Sequence, residues 1–235
     1  MNGGTAQAET AGKEIGSVLS ELGINVDFAP IADIHTNPEN TVIGDRAYGT
    51  DAQTVADMAS AFAKGLESEG VSATAKHFPG HGDTGTDSHD GMAVSEHDLQ
   101  RLKEVEFVPF HRLADKGIDL MMVGHITMPN VTDDGLPASL SKEAIDLLQD
   151  ELDYDGIVIT DAMNMGAIVD YYPDGEAAVK AVEAGVDIVL MPADLDDAYN
   201  SLCEAVQTGE ISENRLDESV ERILSLKYDK GMLVP

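Results

Sequence analysis

Cysteine is almost absent from this sequence: Cys203 stands alone among 235 residues. That excludes an intramolecular disulfide and any cysteine-built zinc site. Cys203 itself, in "AYNSLCEAV", falls on the apolar face of a helical pattern and is expected in the core. Tryptophan is missing and aromatics make up only 5% of the chain, so a core must be assembled from Ala, Val, Ile and Leu. With 43% hydrophobic residues there is enough material for one sizeable soluble domain, and disorder is not the expectation. Cations are scarce as well. Lys and Arg number 14 against 44 Asp and Glu, a formal net charge of −30. No basic stripe exists to neutralise phosphates, which argues against nucleic acid as a partner.

No apolar run approaches the roughly 18 residues of a membrane span. The opening stretch "MNGGTAQAETAGKEIG" has neither a basic segment nor an apolar core of the signal-peptide kind. The chain as given therefore reads as soluble, unexported and cytoplasmic, without membrane association. Its negative charge is spread along the whole length and not gathered in a tail. Self-repulsion of that kind is relieved in molar salt, where the Debye length falls to about 3 Å, so adaptation to a salt-rich cytoplasm is expected.

Five short apolar segments recur: "INVDFAPIAD" (24–33), "VSATAKHF" (71–78), "IDLMMVGHI" (118–126), "GIVITDA" (156–162) and "VDIVLMP" (186–192). Near-continuous hydrophobicity suits strands buried on both faces of a parallel sheet. Helical periodicity fills the gaps, over residues 5–22, 51–69, 96–116, 141–152, 175–184, 195–208 and 212–229. Ser141 and Ser212 stand where N-caps are wanted, and Gly23, Gly70, Gly117, Gly185 and Gly209 follow the helix ends. Strand spacings of about 30 to 48 residues are those of a repeated βα unit. A dinucleotide-binding reading is weaker, because no "GxGxxG" follows the first strand.

Polar residues then recur at one place in each unit. Asp33, Lys76 with His77, His125 and Asp161 all close predicted strands, the rim on which α/β sheets build their sites. "KHFPGHGDTGTDSHD", residues 76–90, places three of the chain's seven histidines after one strand. Its glycines rule out a helical metal pair of the "HExxH" type, and it lacks the "GK[ST]" of a phosphate loop. Zinc on His77, His81 and His89 is one reading of the loop. Another treats "DSH" as a unit, in which Asp87 accepts a hydrogen bond from one ring nitrogen of His89 and raises the basicity of the other. The bland reading is a loop histidine on an acidic surface. In "GIVITDAMNMGAI", Asp161 ends an apolar strand, where a lone carboxylate is costly unless it has a partner or a purpose. It suits a nucleophile or charge stabiliser, or the N-cap of the next helix. Arg46, in the long loop "TNPENTVIGDRAYG", either brackets Asp45 or Asp33 or grips a polar ligand with paired donors.

Taken together, these stretches resemble glycoside hydrolase family 3, in its β-N-acetylglucosaminidase branch. "NVDFAPIADIHTNPENTVIGDRAYG", "TAKHFPGHGDTGTDSH", "MMVGHI" and "GIVITDAMNMGAI" stand in the family's order, and "ISENRLDESVERILSLK" resembles its closing helix. The resemblance implies a retaining glycosidase on a (β/α)8 TIM-barrel, acting on terminal β-linked N-acetylglucosamine without metal or organic cofactor. Asp161 matches the family's nucleophile, and His89 its acid/base, paired with Asp87. Arg46, Lys76 and His77 match positions that bind sugar hydroxyls; His125 and Met165 are taken with them as substrate-binding. A histidine acid/base departs from the two-carboxylate pattern of most retaining enzymes. Glucoside-specific members take a glutamate from a second domain; here residues 1–235 read as one domain with the "DSH" loop intact, which favours the N-acetylglucosaminide.

Some positions depart from the family pattern: Asp90, Met92 and Ala93 after "DSH", Ala162 after the matched nucleophile, and Thr41 in the "NP" loop. By the same resemblance the chain holds the last five βα units, so an incomplete barrel is expected. It would be completed by a missing N-terminal segment or by self-association. An inactive truncated βα module that keeps the sugar-contacting loops, or a family 3 β-glucosidase-like activity, is the alternative.

Overall fold

The structure is a computed structural model in which residues 4–85 and 92–233 are described. Helix α1 (Gly4–Glu21) leads into β1 (Val26–Asp27), α2 (Ala52–Glu67) and β2 (Ser72–Phe78). Next come β3 (Ala93–Val94), α3 (Leu99–Glu104), α4 (Phe107–Asp115), β4 (Leu120–Val123), β5 (Ile126–Thr127) and α5 (Lys142–Leu152). The chain continues through β6 (Ile157–Thr160), α6 (Gly166–Val169), α7 (Asp174–Ala184), α8 (Leu195–Thr208) and α9 (Glu213–Asp229). The main sheet is parallel in the order β1-β2-β4-β6, and Ile188 extends it by a parallel bridge to Ile159. Parallel strands in chain order with helices between them form a TIM-barrel-like α/β arrangement. No helix among the described residues is long and apolar enough to cross a membrane.

Local chemistry explains the element ends. Asp51, Asp98, Ser141, Asp194 and Ser212 each accept the backbone N–H of the residue three further on, satisfying a donor the helix cannot. Gly185 ends α7 with φ 122°, a conformation open to glycine and not to side chains with a Cβ. The single helix expected over 96–116 is two. Pro109 has no N–H and its ring would strike the carbonyl four residues back, that of Val105, so the helix breaks there (φ −130°, ψ −74°). The first and last strands are shorter than their apolar patterns. Pro30, which cannot donate, interrupts the first, and the segment at 186–192 makes one ladder bridge, at Ile188, with the Leu190 carbonyl taking Met163 N–H just beyond it.

Alternation along the strands sorts the core into two layers. Ala73, Ala75, Met121, Val123 and Val158 join the main core with Phe62, Leu66, Phe107, Phe110 and Leu148 from the helices. Leu120, Met122, Ile157 and Ile159 face the other way, where Ile223 and Leu226 of α9 meet them. An ion-pair brace holds α9 there. The Asp187 carboxylate, fully buried, accepts from Val158 N–H (2.9 Å), Ser219 Oγ (2.5 Å) and Arg222 Nη2 (2.8 Å), with Arg215 at 3.7 Å. Cys203 is half-buried, not in the core as expected. Helix α8 seals onto α7 through Ala205, Leu202 and Val206, and Cys203 lies off that stripe.

Helix α1 docks on α2 by near contact of backbones. A Cβ on Gly12 would come within 2.1 Å of the Phe62 carbonyl oxygen, and one on Gly65 within 2.2 Å of the Glu9 carbonyl oxygen. Neither obstacle is a flexible side chain. Gly65→Ala is therefore expected to force the two helices apart and destabilise the fold by about 1–3 kcal/mol. Gly49→Ala, whose Cβ would meet only Thr54 Cγ2 at 3.7 Å, should be near neutral. Thermal unfolding followed by circular dichroism compares the two; equal midpoints would refute close helix packing.

Candidate active site

The strand ends collect the polar residues that the sequence placed there. Asp33 is the hub. It is wholly buried and accepts from His77 N–H (3.1 Å), from the His77 ring at Nδ1 (2.8 Å) and from His81 N–H (2.7 Å). Burial alone would raise its pKa, but the His77 ring, the His81 N–H and the His81 ring outweigh it and hold the carboxyl below the usual range. An ionised Asp33 can only accept, so the His77 ring carries a proton at Nδ1. The opposite nitrogen, Nε2, then faces Asp161 Oδ2 at 3.8 Å.

Asp161 lies one residue past β6. Its N–H donates to the Val123 carbonyl (2.9 Å) and its Oδ1 accepts from Ala162 N–H (2.8 Å). It does not cap a helix; Met165 holds that position for α6. Burial pushes its pKa up, yet His77, His125, the Ala162 N–H and Lys76 together pull it below the ordinary value, leaving a carboxylate poised as an anion. Lys76 is lowered, first by burial and then by the positive charge of Arg46, while Asp161, Asp27 and Asp33 oppose both. Arg46 is exposed on the turn after the first-strand loop, where Nη1 donates to the Val42 carbonyl (3.2 Å).

Two expected contributors are set apart from the open rim. His125 is fully buried, its Nδ1 bonded to Ser139 Oγ (2.7 Å) and its Nε2 to the Ala162 carbonyl (3.0 Å), so it stands behind Asp161 and has no nitrogen to offer a sugar. Met165 is buried too, 7% exposed. Asp87 and His89 lie outside the described residues. His81, which the sequence offered only as a zinc ligand, belongs to the frame: beyond its bond to Asp33, its Nδ1 meets Thr84 Oγ1 at 2.6 Å.

The loop that leads toward "DSH" is anchored before it leaves the described region. Asn40 Nδ2 donates to the carbonyls of His81 (2.7 Å) and Thr84 (3.0 Å), tying the first-strand loop to this one. Gly82 packs so tightly that a Cβ would fall 1.9 Å from the Ile34 carbonyl oxygen. Asp83 accepts from Thr36 (2.9 Å) and pairs with His97, joining the chain on either side of the segment. Sequence reasoning missed Asp33 as the hub, Asn40 and Ser139. Asp33 and Asn40 carried a signal, as polar residues at and just beyond a strand end; Ser139, in "LPASLS", carried none.

A half-buried carboxylate at a strand end, with the His77 ring facing it and Lys76 drawing its pKa down, defines an α/β protein equipped for charge-stabilised chemistry. The profile of the glycosyl hydrolase family 3 N terminal domain matches residues 2–226, and the chain belongs to that family. Beta-hexosaminidase LpqI of Mycobacterium tuberculosis is 38% identical over 233 residues, 94% of this chain and 58% of that protein. The beta-N-acetylglucosaminidase/beta-glucosidase of Cellulomonas fimi is 33% identical over 98% of this chain and 43% of its own length. A family 3 beta-N-acetylglucosaminidase structure from Paenibacillus sp. str. FPU-7 superposes with TM-score 0.95 at 45% identity, covering 97% of this chain and 44% of that one. The chain thus spans about half the length of the curated relatives it matches.

Proposed function

We propose that this chain supplies the catalytic centre of a retaining β-N-acetylhexosaminidase, releasing terminal β-linked N-acetylglucosamine. The observation that carries the reading is Asp161: a carboxylate kept anionic at the rim, with one oxygen held by Ala162 N–H and the other turned toward His77. In the first step Oδ2 of Asp161 attacks the anomeric carbon and the glycosidic C–O bond breaks, with His89 protonating the departing oxygen. In the second, water delivers its proton to His89 and displaces Asp161, so the product keeps the β configuration. Asp87 orients the His89 ring. Lys76, Arg46 and the Nε2 of His77 bind the sugar's hydroxyls. The names of the relatives favour N-acetylhexosaminide, and the Cellulomonas protein's double name makes an aryl β-glucoside the natural control.

The test is to follow hydrolysis of an aryl N-acetyl-β-glucosaminide, in molar salt given the charge of −30, by proton NMR of the product anomer and by mass spectrometry of the quenched enzyme. We expect β product first and a glycosyl adduct on the peptide bearing Asp161. Initial formation of α product, or an adduct elsewhere, would sink the mechanism. Because Asp161 is held below the ordinary carboxylate pKa of about 3.9, the acid limb of kcat/KM should lie below that value.

A further inference from the structure

We propose that Ser139 and His125 form a positioning pair that fixes the Asp161 carboxylate by holding the peptide that follows it; the proposal rests on the reading of Asp161 as nucleophile. The Ala162 carbonyl can only accept, so His125 must carry its proton on Nε2 and donate across 3.0 Å. Its Nδ1 is then the acceptor for the Ser139 hydroxyl at 2.7 Å. Ser139 and His125 are both fully buried, and burial also favours the uncharged ring. The held unit is short. The Ala162 N–H donates to Asp161 Oδ1, its carbonyl is gripped by His125, and the Met163 N–H is pinned to the Leu190 carbonyl at 2.8 Å. Losing the grip on the carbonyl lets the 161–162 turn rotate, which moves Oδ1 off its donor and Oδ2 out of line with the anomeric carbon. Displacement of about 1 Å at a reacting atom lowers the rate by about 100-fold.

The titratable groups acting on His125 are Asp161, His77 and His81, and none is hydrogen-bonded to its ring as Ser139 is. The pair therefore acts through Asp161 and does not touch the sugar.

The variants are His125→Phe and Ser139→Ala, with His125→Gln as the conservative replacement, since its amide N–H reaches the same carbonyl. Two readouts are taken on the full chain. Carbon-13 NMR titration of Asp161 needs no activity: its pKa should rise in His125→Phe and Ser139→Ala and return toward wild type in His125→Gln. Steady-state hydrolysis of the aryl N-acetyl-β-glucosaminide should show kcat lower by about 10- to 100-fold with KM within about twofold, again restored by His125→Gln. An unmoved Asp161 titration in both disrupting variants would overturn the pairing, as would a raised KM at unchanged kcat, the mark of direct sugar contact. If the wild-type chain hydrolyses no glucosaminide while the Asp161 titration moves as expected, the proposed function fails and the positioning pair stands. Should His125→Phe not fold, Ser139→Ala, which removes a single oxygen atom, decides on the same two readouts.

Discussion

Asp161→Ala should lower kcat for an aryl N-acetyl-β-glucosaminide by about 10⁴-fold or more while leaving the fold intact. The size follows from the nucleophilic role proposed for the residue. Without a nucleophile the covalent path is closed, and what remains is binding and stabilisation by the surrounding dipoles; removal of a nucleophile elsewhere costs between about 10⁴ and 10⁶ in kcat. The fold should survive because Asp161 contributes its side chain to one local hydrogen bond, from Ala162 N–H, and is not sealed in the core. The variant also opens a space where Oδ2 stood. Azide, a small anion, can enter it and attack the anomeric carbon from the same side, expelling the aryl alcohol and giving the α-glycosyl azide. Recovery of activity with azide and detection of that product would identify Asp161 as the group that attacks. Wild-type turnover in Asp161→Ala would remove the residue from the chemistry altogether.

Asp161 is legible in the sequence itself. A carboxylate closing the run "GIVIT" is conspicuous against its own apolar neighbours, and Lys76 with His77 close "VSATA" in the same way. The helices were legible for a related reason. Amphipathic periodicity runs through the helices, and a capping Asp or Ser or a trailing Gly marks many of their boundaries, as with Ser141 opening α5 and Gly209 closing α8. Strands at the two ends of the sheet were less so: a continuous apolar run gives no sign of where pairing stops, and 186–192 shortens to a bridge at Ile188. Relations between loops were not legible at all. That Asp33 receives His77 and His81 from another unit, that Asn40 holds the carbonyls of His81 and Thr84, or that Ser139 backs His125, depends on distances that no spacing along the chain encodes. His125 illustrates the limit. A strand-end histidine beside a site looks like a ligand contact, and only its two bonded nitrogens show that it faces inward.

Asp33→Asn is expected to lose both stability and activity, and for one cause. Three N–H donors converge on the two carboxylate oxygens, and an asparagine offers only one oxygen, so its amide N–H must confront a donor. Relief comes if the His77 ring gives up the proton on Nδ1 and takes it on Nε2, which then points a proton at Asp161 and removes the acceptor proposed for the sugar. Charged hydrogen bonds of this kind contribute about 1.5–3 kcal/mol each, and at a fully buried site an unmet donor cannot turn to water. A loss of about 2–4 kcal/mol is expected, seen as a fall of about 5–15 °C in Tm. The pH dependence carries a separate signature. Asp33 has a folded pKa below its unfolded value of about 3.9, so its contribution is fully present above that pH and is lost as pH falls through the folded pKa. Wild type should therefore lose stability steeply below about pH 4, and Asp33→Asn, already deprived of that contribution, should show a shallower fall over the same window. Thermal unfolding in molar salt across this range, together with kcat/KM, gives both readings. A variant with unchanged Tm, or with kcat/KM intact, would show that Asp33 does not hold His77 in its working tautomer.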